Sequence, residues 1–113
     1  MSPETKRKAE KSSRVYLEMR GFKIIEQNWG LGQNKIDIIA SKNNTIHFIE
    51  LAYSPKLDES SKLSAITQSK LKKKQRAAFS WLDESKWSGD YVYSQLELAT
   101  PSYVVVTFSE NIY

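Results

Sequence analysis

Two consecutive asparagines, Asn43 and Asn44, separate two stretches rich in β-branched residues, Lys35 to Ser41 and Thr45 to Tyr53. Asparagine tolerates the left-handed backbone that the central positions of a tight turn require, so the pair predicts a two-residue hairpin. A fixed turn fixes a register. With Lys42 opposite Thr45, Asp37 falls directly opposite Glu50 and Lys35 opposite Ala52. On the second strand Ile46, Phe48, Glu50 and Ala52 share one face, so Glu50 interrupts an otherwise apolar row. Two like charges facing each other there are destabilising unless something compensates them. A divalent cation is the simplest compensation, because Mg²⁺ is held by one or two carboxylates together with waters and substrate phosphate oxygens. Two alternatives remain: a nearby Lys or Arg satisfies one acid, or the register slips and Asp37 faces solvent.

Composition removes competing chemistries. The chain has no cysteine and one histidine, His47, which excludes disulfide frameworks, thiolate zinc sites, thiol nucleophiles and any cage built on two histidines. A length of 113 residues supports one core, so a single domain over residues 1–113 is expected. No apolar run approaches the roughly 20 residues that span a bilayer, and the N-terminus is charged, so a soluble cytoplasmic protein without a membrane partner is expected.

Seventeen Lys and Arg against thirteen Asp and Glu give a net charge of +4, distributed unevenly. Lys6, Arg7, Lys8, Lys11 and Arg14 cluster near the start against one acid, Glu10, and Lys62, Lys70, Lys72, Lys73, Lys74 and Arg76 form a second group, over residues 61–82, with no acid among them. The C-terminal residues reverse the sign. Two basic helices suit a polyanion such as DNA or RNA, although charge runs are also ordinary solvated faces.

Ser2-Pro3-Glu4 predicts a helix start and Gly21 its end. An apolar stripe is expected from Ala9, Tyr16, Val15 and Met19. Phe22 to Glu26 reads as a short strand and Gln27 to Asn34 as a loop anchored by Trp29. After the hairpin, a polar loop over residues 54–61 leads to a helix from about Leu63 to Leu82, with Leu63, Ile66, Ala77, Ala78, Trp81 and Leu82 inward. Tyr91 to Leu98 and Tyr103 to Phe108 read as final strands. The order αβββαββ implies an α/β fold.

Across residues 9–82 the chain resembles the YraN family of small nuclease-like proteins. The residues that carry the likeness are Ala9-Glu10, Tyr16-Leu17-Glu18, Gly21-Phe22-Lys23-Ile24, Asn28-Trp29, Ile36-Asp37-Ile38-Ile39-Ala40 and Phe48-Ile49-Glu50, followed by Ile66, Lys70, Ala78 and Leu82. The resemblance implies a restriction-endonuclease-like mixed sheet with flanking helices, of the PD-(D/E)xK superfamily that also contains Holliday-junction resolvases of archaeal type. It implies Mg²⁺ or Mn²⁺ at Asp37 and Glu50, with Glu10 assisting from the first helix. The family lysine of the E-x-K motif falls at Ala52, and a family glutamate has become Lys35. Lys35, opposite Ala52, is therefore expected either to supply the missing ammonium or, in a decayed site, merely to salt-bridge Glu50, with Lys70 on the second helix as a further candidate.

The expected function is a metal-dependent DNA endonuclease, with DNA favoured over RNA and backbone contacts from Lys6, Arg7, Lys11, Arg14, Lys70, Lys73, Lys74 and Arg76. A homodimer would be needed for resolvase-like action. The alternative is a catalytically inactive nucleic-acid-binding or protein-interaction module that has lost its lysine at Ala52. A third reading makes the Tyr-rich final strands an edge for pairing with another chain. His47 is expected to be structural. Trp29, Trp81 and Trp87 fit either base stacking or, more simply, anchoring the core.

Overall fold

A computed structural model describes residues 3–32, 34–54, 68–100 and 102–110. The elements are α1 (Pro3–Met19), β1 (Lys23–Leu31), β2 (Asn34–Lys42), β3 (Thr45–Ser54), α2 (Gln68–Ser85), β4 (Asp90–Ala99) and β5 (Val104–Glu110). This is the αβββαββ order read from the sequence. The five strands form one sheet in the order β1-β2-β3-β4-β5. All neighbours are antiparallel except β3 and β4, which run parallel. Parallel neighbours need a long crossover, and α2 lies within it.

Each face of the sheet carries its own apolar cluster. On one, Ala9 and Leu17 of α1 meet Ile38, Ala40, Ile49, Leu96 and Leu98. On the other, Ala77, Ala78 and Trp81 of α2 meet Ile36, Ile39, Ile46 and Phe48. Burial on both faces explains why Ile46, His47, Phe48 and Ile49 are all buried in succession on β3.

Both helices end in a residue with left-handed backbone, the first at the expected Gly21. Gly21 takes φ 90°, and the N–H groups of Gly21 and Phe22 donate to the carbonyls of Glu18 and Leu17, closing α1 with a Schellman motif. Lys86, at φ 57°, closes α2 in the same way. That helix runs three residues beyond the expected Leu82. The expected N-cap Ser2, the loop at residues 55–61 and the inward candidates Leu63 and Ile66 lie outside the described residues.

Two expectations are corrected. The buried line of α1 is Ala9, Ser13 and Leu17, whereas Val15 and Met19 are 42% and 83% exposed. Ser13 is tolerated inside because its hydroxyl donates to the Ala9 carbonyl at 2.8 Å. The stretch expected as a loop after Glu26 is instead the second half of β1, paired through Trp29↔Ile36, Gly30↔Lys35 and Leu31↔Asn34. Its Asn and Gly content reads as a turn, yet the edge of β2 supplies ladder bonds that override local propensity. Asn28 and Gly30 are carried at φ 53° and 111°.

The central hairpin follows its sequence closely. Asn43 and Asn44 have φ 52° and 60°, as a type I′ turn requires. The derived register holds from Lys42↔Thr45 to Ile38↔Ile49. Beyond Ile38 the two strands part, and the acids lie at that fork.

Candidate carboxylate and lysine site

Asp37 and Glu50 come from β2 and β3, one position past their last paired residues. Where the ladder ends, the Leu51 N–H has no β2 carbonyl opposite it, and the Asp37 carboxylate takes that N–H at 2.8 Å. The side chain thus substitutes for a missing strand bond. Glu50 projects toward α2, beside Phe48 and Ile36. There Lys74 reaches down from the helix, its ammonium 3.4 Å from Glu50 Oε1 and donating to the Lys35 carbonyl at 2.6 Å. The side chains of Lys74 and Glu50 are only 15% and 11% exposed. Lys74 therefore ties α2 to both strands of the fork.

Burial holds the Asp37 carboxyl above its ordinary pKa. The Leu51 N–H and the charges of Lys74 and Lys6 pull it back, while Glu50 pushes it further up. Tyr53, three residues beyond Glu50, has its phenol pushed up to about 12, first by burial and then by the charges of Asp37 and Glu10. Glu10 is tethered by a hydrogen bond from the Asn28 side chain. Both acids thus act on one phenol.

The expected residues sort as follows. Asp37 and Glu50 lie just past the paired ends of β2 and β3, near enough that Glu50 raises the Asp37 pKa. Lys35 contributes its backbone carbonyl, and among the described lysines it is Lys74 that stands against Glu50. Glu10 lies on α1, bonded to Asn28 of β1. Lys70 belongs to α2, but its side chain lies outside the described residues. Lys6, Arg7 and Lys11 are exposed on α1, Arg14 and Lys73 are half-buried, and Arg76 is exposed on α2. Lys74, expected as one of several backbone-gripping cations, is instead drawn inward.

Sequence reasoning missed that role for Lys74, and it missed Tyr53 and Asn28. Helical spacing carried the signal for Lys74, which precedes the buried Ala78 by four residues and Trp81 by seven. Among the described residues no three His, Asp or Glu side chains gather closely enough to cage a metal. A cation held here would rest on two carboxylates and complete its shell with water, as Mg²⁺ commonly does.

His47 sits across the sheet from Glu50. Its Nδ1 lies 3.2 Å from Ser94 Oγ and 3.6 Å from Glu110 Oε1, and Phe22 packs edge-on at 4.8 Å. Both polar partners face the same ring nitrogen, which is not the relay of a nucleophilic triad.

Comparison with known proteins places the chain. It matches the uncharacterised protein family UPF0102 over residues 9–106, most of its length. The chain belongs to the UPF0102 family. Similar members include a UPF0102 protein of Cytophaga hutchinsonii, 36% identical over 80 residues, covering 71% of each chain. A UPF0102 protein of Helicobacter pylori is 34% identical over 89 residues, covering 79% of this chain and 75% of the relative. In this UPF0102 chain no helix among the described residues is long and apolar enough to cross a membrane.

Proposed function

We propose that this UPF0102 protein is a nuclease-fold protein that binds DNA and hydrolyses phosphodiester bonds at a divalent-cation site on Asp37 and Glu50. The observation that carries the reading is the Lys74 ammonium beside Glu50 in a chain whose E-x-K lysine position is Ala52. The fold reading is restriction-endonuclease-like. It is supported by the mixed sheet, by the acids at the fork of β2 and β3, and by α1 and α2 on opposite faces.

The donor set fits Mg²⁺ or Mn²⁺. Two carboxylates are hard ligands, and a desolvated Asp37 beside a second acid gains from added positive charge. Bound there, the cation would supply Lewis acidity toward a phosphoryl oxygen and the attacking water. The chain's own residues do the rest. The Leu51 N–H fixes the orientation of Asp37. Lys74, which donates to the Lys35 carbonyl and faces Glu50, keeps its third N–H to orient a water, while its charge meets negative charge developing on the phosphate. Glu10 assists through water from α1. Lys6, Arg7 and Lys11, with Lys73 and Arg76, hold the backbone without reading sequence.

A second reading has its own observation: the same Lys74 already compensates Glu50, as a binding module that has lost catalysis would require. Incubation with branched, single-stranded and duplex DNA in Mg²⁺ or Mn²⁺ separates the two. Cleavage abolished by Glu50→Ala is the expected result. Salt-sensitive binding with no cleavage would favour the binding module, and cleavage that persists in Glu50→Ala would remove the site from the reaction.

A further inference from the structure

We infer that the groove between the tip of the β1–β2 hairpin and α2 is a subsite for one unpaired nucleobase, adjacent to the phosphate handled at Asp37, Glu50 and Lys74. The inference deepens the nucleic-acid reading above and rests on it.

The groove has a volume of about 420 Å³, within the range of small-ligand sites. Trp29, Gly30 and Asn34 form its strand side, and Arg76, Ser80 and Glu84 its helix side. Trp29 is half-buried, packed on the cluster of Phe48 and Trp81, so its indole is braced. A braced aromatic ring is a stacking platform. Around it the polar groups are mixed: a planar cation, an amide, a hydroxyl and a carboxylate. An inorganic anion would want cations alone, and a lipid tail would want none of these groups. A flat heteroaromatic ring edged with both donors and acceptors uses all of them.

Position selects the ligand further. On α2 the groove residue Ala77 follows Lys74 by three residues, and Asn34 directly precedes Lys35, whose carbonyl holds the Lys74 ammonium. The groove therefore opens about one helical turn, roughly 5 Å, from the carboxylate and lysine site. A nucleotide whose phosphate lies against Lys74 has a base that reaches this far. A base stacked and paired within a duplex cannot enter, so the substrate class is single-stranded or branched nucleic acid with an unpaired base.

The test is binding in EDTA, where cleavage plays no part. Fluorescence anisotropy compares a short single-stranded DNA with an abasic strand of equal length, for the wild type, Arg76→Ala and Ser80→Leu. Ser80 is exposed, so the longer side chain fills the groove without entering the core. Stacking of one base makes the wild type prefer the base-bearing strand by about tenfold. Ser80→Leu is expected to bring the ratio of base-bearing to abasic affinity down to about one, and Arg76→Ala to weaken binding of the base-bearing strand more than of the abasic one. Equal affinity of the wild type for both strands, a preference that survives Ser80→Leu, or no binding of either strand overturns the inference. Absence of cleavage in Mg²⁺ with the preference intact would sink the hydrolytic reading and leave the subsite standing.

Discussion

Lys74 on α2 and Glu50 on β3 stand 3.4 Å apart in a nearly water-excluded seam, and the same ammonium is bonded to the Lys35 carbonyl of β2. One side chain thus closes the fork at which β2 leaves β3. The contact joins stability to the proposed chemistry, because the group that compensates Glu50 is also the one available to a phosphate.

Replacing Lys74 by Met leaves the Glu50 carboxylate mostly buried and without that ammonium. The expected cost is about 1–3 kcal/mol, below that of a fully buried pair because both groups keep some contact with water. Adding Glu50→Gln to Lys74→Met should recover a large part of the loss. Urea midpoints of the four proteins measure the coupling, and strictly additive losses would show that the pair contributes nothing.

Asp37→Asn should stabilise the protein at neutral pH while abolishing cleavage. Burial and Glu50 together outweigh the opposing Leu51 N–H and lysines, so the folded state favours the protonated acid. Wild-type stability from this group is complete below the ordinary Asp range and is lost as pH rises through the raised folded value. In EDTA, the melting temperature of Asp37→Asn should exceed that of the wild type at pH 7, and the gap should close at pH 3. Added Mg²⁺ should raise the wild-type value alone.

How far the sequence revealed this arrangement depended on whether the deciding physics was local. Asn43-Asn44 set the turn, the turn set the pairing through Ile38↔Ile49, and alternation then put Glu50 on the α2 face. The bond from the Leu51 N–H to Asp37 was not legible, because it exists only where the strands separate. Lys74 was hidden differently: its spacing to Ala78 marks it as inward, but Lys72 and Lys73 beside it make the run look like a solvated face. The second half of β1 was obscured by Asn28, Gly30 and Gly32, whose turn-like composition is overridden by the neighbouring strand.

Gly30→Ala and Gly32→Ala should differ in cost. At Gly30, with φ 111°, an added Cβ would meet the Asn34 carbonyl oxygen at 2.1 Å, so the hairpin must shift. A loss of about 3 kcal/mol is expected from strain and clash together. Gly32, with φ 57°, has nothing within 4 Å, and only the left-handed backbone penalty of about 1 kcal/mol applies. Equal shifts in urea midpoint would show that the contact with Asn34 is relieved at no cost.

His47 gives the fold an acid sensitivity that the nuclease reading does not require. Burial pushes its imidazole pKa down and Lys42 adds to the effect, while Glu110 pulls it partly back. The folded state therefore prefers neutral histidine, whereas the unfolded chain takes up a proton near pH 6.5. Stability is present above that value and is lost as pH falls through it toward the lower folded pKa, by at most about 1.4 kcal/mol per pH unit. His47→Gln removes the titration. The urea midpoint of the wild type should fall more steeply than that of the variant between pH 7.5 and 5.5. At pH 8 the variant should be the weaker protein, having lost the edge-on contact with Phe22. Parallel profiles across this range would mean that Glu110 offsets the burial of His47 completely.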